Sequence, residues 1–390
     1  MPPRDWLRAD LLAVLTAKTV RTFCYGFLGI VIPVYLTELG ASAEAVGAAV
    51  TLTLLGSAAL TWAVRRPAER FGARVSLLAL AGLSALAAGI LVVTREPWLI
   101  VAAAMIGNVA VGAGETGPFL TVEQVVVARA TSATRRTAVL SVYNFLGYGA
   151  GALGAILIRF VPAYRSLFLV FLAGSLLQAL AYVWLPGVTL IARAPARAAA
   201  ARPLIRRLAA VFAVDSFAGG FVLQSLVALF LHERFGLDLA ALGGVFFGTQ
   251  ILTAASLFLA VPLARRFGLL PTMVVSHLVS NVLLLAVALA PTAAVAVALL
   301  FGRHLLSQID VPTRQAWVMA VVGDGDREAA ASVTNLARTL SQAVSPAVTG
   351  WVMATVALGA PFVLGGGLKI VYDVLLYVTF RDVPLRSETD

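Results

Sequence analysis

The chain has 390 residues, of which 60% are hydrophobic and only 12% charged, and its mean hydropathy is +0.94. Such a composition excludes an ordinary soluble domain and identifies an integral membrane protein. The formal net charge of +10 would suit nucleic acid, but the placement of the basic residues excludes that partner.

Apolar runs long enough to cross a bilayer as helices are expected at 10–37, 44–64, 75–94, 98–127, 138–160, 164–185, 208–231, 240–262, 269–290, 292–320, 330–355 and 359–380, twelve spans in chain order. The first run is too long for the apolar core of a cleavable signal and no small-residue cleavage site follows it, so span 1 is expected in the mature protein. The single cysteine, Cys24, lies within span 1, which excludes an intrachain disulfide. With the N-terminus placed in the cytoplasm, most of the 29 Lys and Arg fall in cytoplasmic segments, and only Arg95, Arg159, Arg165 and Arg234 fall outside. That asymmetry follows the positive-inside rule with both termini cytoplasmic. It makes anionic lipid head groups, and no nucleic acid, the partners of the basic surplus. Abundant alanine and almost no lysine point to a prokaryotic inner membrane.

Between spans 6 and 7 the stretch LPGVTLIARAPARAAAARPLIRR, Leu185 to Arg207, breaks the apolar rhythm with prolines and arginines. It divides the chain into a bundle over 1–185, a basic cytoplasmic linker over 186–207 and a second bundle over 208–390. The two bundles repeat one another. ERFG at Glu69 returns as RRFG at Arg265, SVYN at Ser141 as SVTN at Ser332, IGN at Ile106 as FGR at Phe301, and RTFCYGF at Arg21 as DSFAGGF at Asp215, in the same order and at nearly one offset.

Two repeated six-helix bundles joined by a basic linker resemble the major facilitator superfamily over the whole chain. Its signature loop between helices 2 and 3, G-x-x-x-D-R-x-G-x-R, is similar to RRPAERFGAR here. Glu69 takes the aspartate place, Arg70, Gly72 and Arg74 match, and Arg65 stands where the family prefers glycine. The resemblance implies an all-α membrane fold of twelve helices, transport by alternating access, no cofactor, a monomer, and charge contacts of Glu69, Arg70 and Arg74 that hold the cytoplasmic side shut.

An ionisable group at mid-membrane costs roughly 2.5 to 3.5 kcal/mol on insertion scales. The apolar runs hold eleven of them: Lys18, Arg21, Glu115, Glu123, Asp215, Arg303, Asp310, Arg314, Arg338, Lys369 and Asp373. Facing lipid, together they would cost on the order of 30 kcal/mol, more than a folding stability, so most must face protein or water. Eight lie on spans 1, 4, 7 and 10, four basic and four acidic, and the resemblance places those helices around a central cavity.

Glu115, in GAGETGPFLTVEQ, has no basic residue within four positions and is the leading proton carrier, with Asp310 the second; the competing reading satisfies Glu115 with Arg21 or Arg303. Asn108 precedes it by two helical turns on the same face, and Arg303 precedes Asp310 by the same spacing. In proton-coupled drug antiporters of the family an arginine occupies the place of Asn108, a departure here. Arg303, Asn108 and Gln308 would meet substrate, together with Phe119, Arg21, Tyr25, Phe217 and Phe221; Phe23 and Trp317 complete an aromatic set suited to an amphipathic cargo.

Arg21 and Asp215 would pair across the bundles as a gate when the cytoplasmic side closes. Lys369 with Asp373, and Asp310 with Arg314, are spaced four apart and can neutralise one another. Lys18, Glu123 and Arg338 would snorkel to the interface, and His304 would serve as a plain hydrogen-bonding residue. GYGAGALG, Gly147 to Gly154, contains a dinucleotide-like G-x-G-x-x-G, but no strand precedes it; close helix packing through small residues is the reading that fits. It is also similar to the antiporter signature of helix 5, while Pro118 and DVPTRQ, Asp310 to Gln315, should interrupt spans 4 and 10.

These residues predict a secondary transporter, most simply an exporter of a small amphipathic molecule coupled to protons. Uptake or exchange of an anion by Arg21, Arg303 and Arg314 is the alternative. An intramembrane enzyme is excluded for want of a nucleophile with its base or a metal cluster. A receptor or lipid-flipping protein on the same scaffold remains a third class.

Overall fold

Helices are the expected form for a chain in lipid, because a helix satisfies its backbone polar groups internally. The computed structural model describes residues 9–109, 117–131, 133–161, 163–185, 203–322 and 327–382, and contains no strand among them. The first group of helices is α1 (Ala9–Glu38), α2 (Ala43–Ala63), α3 (Arg65–Val93), α4 (Pro97–Ile106), α5 (Pro118–Ala130), α6 (Ala133–Leu157) and α7 (Tyr164–Val183). The second is α8 (Pro203–Gly220), α9 (Gln224–Phe235), α10 (Leu239–Phe267), α11 (Leu269–Ala288), α12 (Ala293–Ser307), α13 (Asp310–Val321), α14 (Arg327–Thr355) and α15 (Ala360–Phe380). Eight helices or helix pairs are long and apolar enough to cross a membrane, α8 and α9 counting as one, and α4, the apolar part of α5, and α12 are shorter apolar helices. Of the proposed linker, 186–202 lie outside the described residues, and 203–207 form the start of α8.

The short helices arise from breaks. α4 stops at Asn108, which takes a left-handed φ of 50°, a conformation asparagine tolerates better than branched residues. Residues 110–116, Glu115 among them, lie outside the described residues. The chain re-enters at Gly117, φ 119°, where a Cβ would meet Ser57 Oγ at 2.6 Å and Asn108 Oδ1 at 3.0 Å, and Pro118 then opens α5. α12 gives way to α13 at Gln308 and Ile309, with Asp310 in the first turn of α13, where the helix dipole favours an acid. A third break, at Phe221–Leu223 between α8 and α9, follows the Gly219–Gly220 pair.

The internal repeat is visible in backbone geometry. Gly72, inside α3, has φ 87° and ψ 171°; Gly268, between α10 and α11, has φ 88° and ψ 162°. Both are positions that a residue with a Cβ resists, and they are the glycines of ERFG and RRFG.

Backbone contact through small residues joins the helices. A Cβ on Gly154 of α6 would collide with the Phe23 carbonyl of α1, and one on Gly26 with the Gly151 carbonyl; GYGAGALG is a packing surface. The two groups of helices meet in the same manner. Gly47 of α2 faces Pro346 O at 2.5 Å and Gly350 Cα at 2.7 Å of α14, and Gly243 of α10 faces Ala155 O of α6 at 2.6 Å, all measured from a Cβ placed on the glycine. Ala347 N donates to Thr51 Oγ1 across the α2–α14 contact, 2.8 Å. α9 closes against α1, with Gln224 Nε2 donating to Gly26 O, 3.4 Å.

Gly154→Ala should lower stability by about 1–3 kcal/mol, the usual effect of overpacking, whereas Gly149→Ala, whose Cβ meets nothing within 4 Å, should not. Thermal unfolding of the two variants in detergent, side by side, checks the pair.

Candidate functional site

The buried charges sort into two separate clusters. The first is sealed among α1, α5, α6 and α7. Lys18, Arg21 and Tyr25 recur on one face of α1, and Phe119 and Glu123 lie four apart on α5. Arg21 meets Glu123 through two parallel bonds, Nη1 to Oε1 at 3.0 Å and Nη2 to Oε2 at 2.7 Å. Tyr182 OH donates to Glu123 Oε1 at 2.5 Å and accepts from Arg21 Nη1 at 2.9 Å, and Tyr143 OH donates to Oε2 at 2.6 Å. The Arg21 guanidinium lies 4.5 Å from the Phe119 ring centre, and the Lys18 ammonium 4.5 Å from that of Tyr143. Glu123 is 0% exposed and Arg21 2%. A bidentate pair with every carboxylate oxygen doubly engaged is the geometry in which a buried pair is tolerable.

This cluster corrects several expectations. Arg21 is bonded to Glu123, and Asp215 to residues of its own group; the Arg21–Asp215 pair, expected on closure of the cytoplasmic side, is not formed in this state. Glu123 and Lys18 do not snorkel; both are buried. Arg21 and Phe119 are not among the described residues that border the central cavity; the ion pair and the rings pack against one another. Tyr25 is also buried, accepting from Asn108 Nδ2 at 3.3 Å. Phe217 and Phe221 stack edge to face at 5.3 Å against the main apolar core, Trp317 packs on Phe380, and Phe23 packs on Phe27; these aromatics are packing residues. Glu69 and Arg70 are exposed at the start of α3, with the Arg70 guanidinium 5.2 Å from the Phe71 ring. Glu69, Arg70 and Arg74 form no ion pair among the described residues.

The second cluster lines a water-accessible cavity of about 450 Å³, in the range of small-molecule sites. Asp215 on α8 is its hub. Lys369 Nζ of α15 donates to Asp215 Oδ1 at 2.6 Å and Arg314 Nη1 of α13 to Oδ2 at 3.3 Å. Arg314 also donates to Asp310 Oδ2, four residues earlier, at 3.0 Å. Lys369 thus turns away from Asp373, which instead takes His277 Nδ1 at 2.7 Å and Asn281 Nδ2 at 3.0 Å, both from α11. The helical spacing of Lys369 and Asp373 allowed a pair, but each found a better-placed partner on another helix. Arg338 donates to Ser216 Oγ at 2.9 Å, so it too is used inside rather than at the interface. His304 Nδ1 sits 2.7 Å from Leu300 O.

Asn108, Arg303, Gln308, Asp215 and Asp310 all border this cavity; no residue of α1 does among the described residues. Among the described residues, the charged groups around it are two carboxylates, Asp215 and Asp310, against four cations, Arg303, Arg314, Arg338 and Lys369. The even balance counted along the sequence becomes a positive surplus among the described residues, because Lys18, Arg21 and Glu123 are sealed elsewhere, Arg338 of α14 and Lys369 of α15 join the cavity, and Glu115 lies outside the described residues. Arg303 differs from the other cations. Its Nε is buried and unpartnered among the described residues, and so are Gln250 Oε1, Thr253 Oγ1 and Ser307 Oγ. All four side chains border the cavity. Gln250 and Thr253 are three apart on α10, Arg303 and Ser307 four apart on α12, and the two helices are in contact, so one face of each turns toward the other.

Sequence reasoning missed Gln250, Thr253, Ser307, His277 and Asn281 because it ranked the spans by their Asp, Glu, Lys and Arg, and took neutral polar residues only beside those. The signal available was spacing: His277 with Asn281, and Gln250 with Thr253, recur at helical intervals within apolar spans.

The family model of the Major Facilitator Superfamily matches residues 14–346. The chain belongs to this superfamily. It is therefore an integral multi-pass membrane protein, a transporter and not an enzyme. An uncharacterized membrane protein of Saccharomyces cerevisiae is 20% identical over 97% of this chain and 95% of its own length. Among solved structures, the nucleoside transporter NupG superposes with a TM-score of 0.73 at 14% identity, covering 95% of this chain and 99% of that one. The xylose transporter XylE of E. coli, in its inward open conformation, gives 0.73 at 14%, covering 97% and 98%. The human organic anion transporter MFSD10 gives 0.65 at 16%, covering 96% and 100%. These likenesses show the superfamily fold.

Glu123→Gln should destabilise the protein by about 3–5 kcal/mol, since it leaves Arg21 charged and uncompensated in the interior. Tyr182→Phe, which removes a single hydroxyl, should cost about 1–3 kcal/mol. Chemical unfolding in micelles measures both.

Proposed function

We propose that the protein is a secondary transporter of a small, polar, negatively charged solute, working by alternating access through twelve membrane spans. α4 with α5, α8 with α9, and α12 with α13 supply three of the spans, each interrupted at membrane depth where its backbone borders the cavity or the core. The observation that carries the substrate class is the meeting of the Arg303 guanidinium with three further polar groups, unpartnered among the described residues, in a cavity whose described residues carry a positive surplus. Buried polar groups left unpaired are costly, and a ligand with an anionic group and hydroxyl or carbonyl oxygens would satisfy all four. Arg303 would hold the anion, Ser307 and Thr253 would exchange hydrogen bonds with its oxygens, and Gln250 Oε1 would accept from a hydroxyl.

The reading as an exporter of amphipathic molecules loses its main support, since Phe119, Phe217, Phe221 and Trp317 are committed to packing. Contacts between the two groups of helices gather at the end that carries Ala43, Ala155 and Gly243. With the N-terminus in the cytoplasm, as the distribution of Lys and Arg supports, that end is external and the structure is an inward-facing state. The scarcity of lysine and wealth of alanine support a prokaryotic inner membrane as the setting.

D-gluconate, an anion rich in hydroxyls, serves as probe, with D-glucose and tetraphenylphosphonium as neutral and cationic comparisons. Gluconate should bind the purified protein and Arg303→Gln should weaken it about 10- to 100-fold, the loss of a charged hydrogen bond of about 1.5–3 kcal/mol. Binding of the cation with equal strength in both proteins, measured by isothermal calorimetry, would overturn the assignment.

A further inference from the structure

We propose that His277, held by Asp373 and Asn281, is a proton-binding residue that opens on the cavity through Nε2, so that a proton and an anion are taken up together. The second half of this statement rests on the anion reading given above; the first stands on geometry alone. It adds a proton site on α11 and α15 to the carboxylates Glu115 and Asp310 that the sequence raised.

His277 is 5% exposed, yet it borders the cavity. Its two ring nitrogens have different surroundings. Nδ1 lies 2.7 Å from Asp373 Oδ1, and the other oxygen of that carboxylate accepts from Asn281 Nδ2 at 3.0 Å. A carboxylate anchored in this way accepts from Nδ1–H in both charge states of the ring, so the exchangeable proton belongs to Nε2. Nε2 points toward Asp215 Oδ1 at 3.7 Å, too far for a hydrogen bond. The ring stands edge-on to Tyr372 with centres 5.7 Å apart, which fixes its plane.

The charges that face His277 give the proton its effect. From α8 comes Asp215; from α15 come Lys369, Tyr372 and Asp373; from α13 come Asp310 and Arg314; from α12 come Arg303 and His304; from α14 comes Arg338. α10 presents the neutral Thr253 to the same cavity. Among the groups joined by ion pairs, Asp215, Asp310 and Asp373 are opposed by Lys369 and Arg314. Imidazolium at His277 makes three cations against three carboxylates. When the Nε2 proton leaves to cavity water, Nδ1–H remains on Asp373 and the network carries one net negative charge. That charge offsets Arg303 and Arg338, the cations outside the network. A protonated His277 therefore leaves the cavity more positive and favours an anion there. By reciprocity, a bound anion favours the proton.

Protein labelled with [15N]histidine and reconstituted in nanodiscs carries only three such residues, His232, His277 and His304, and loss of a signal in His277→Gln assigns its resonance. The expected result is a change in the protonation of His277 as pH is varied, with an Nδ1–H neutral form, and loss of that tautomer as the major one in Asp373→Asn. A His277 that keeps one protonation state from about pH 4 to pH 9, or a neutral form protonated at Nε2 in the unsubstituted protein, overturns the proton site. In the same samples gluconate should bind at least about fivefold more tightly below the midpoint than above it, with the pH dependence lost in His277→Gln. Gluconate affinity that does not change through a measured titration overturns the coupling. If gluconate binds at no pH, the anion reading falls while the titration still decides the proton site.

Discussion

A charge carried out of water must meet its counter-charge inside the protein, and nearly every feature of this chain's interior answers to that demand. It is met in two ways. Around Glu123 the answer is complete: both carboxylate oxygens are bonded by Arg21 and by a tyrosine hydroxyl, and the space is filled by rings. Around Asp215 the answer is partial. The ion pairs there border an aqueous cavity, and the Arg303 guanidinium keeps a nitrogen unpartnered among the described residues. The closed cluster fixes α1 against α5, α6 and α7. The open one leaves chemistry available.

That division makes the two groups of helices unequal in task although they share an internal repeat. The repeat persists in the backbone, where Gly72 and Gly268 adopt nearly the same left-handed turn. It does not persist in the side chains. Arg21 and Asp215 stand at equivalent positions with opposite charge, and each has recruited a different local set of partners. Spans of one ancestry have come to hold a sealed knot on one side and a solvated site on the other.

Much of this was legible from residues alone. Hydropathy fixes an all-helical membrane chain, Pro118 and the segment from Asp310 mark two of the three helix breaks, and the glycines of 147–154 mark the contact of α6 with α1. Local spacing also foretold the bond between Asp310 and Arg314. What could not be read are partners on other helices. Glu123 and Tyr182 are 59 positions apart and Asp215 and Lys369 are 154 apart, and no periodicity links such pairs. The pair expected between Lys369 and Asp373 shows the limit of spacing: sharing a face allows contact, but the ammonium bonds to Asp215 of α8 and the aspartate to a histidine of α11. His277 escaped notice because its charge is conditional, whereas membrane charge counts consider permanent ones.

The contact between α2 and α14 has one more consequence. Gly47 and Gly350 let two backbones touch, a lone threonine hydroxyl accepts from Ala347 beside Pro346, and among the described residues every ion pair stays within one group of helices. Such a seam grips by shape and dispersion, forces that vanish within an ångström or two of separation. It holds firmly while shut, opens without stranding a charge, and gives a rocking machine a latch insensitive to salt.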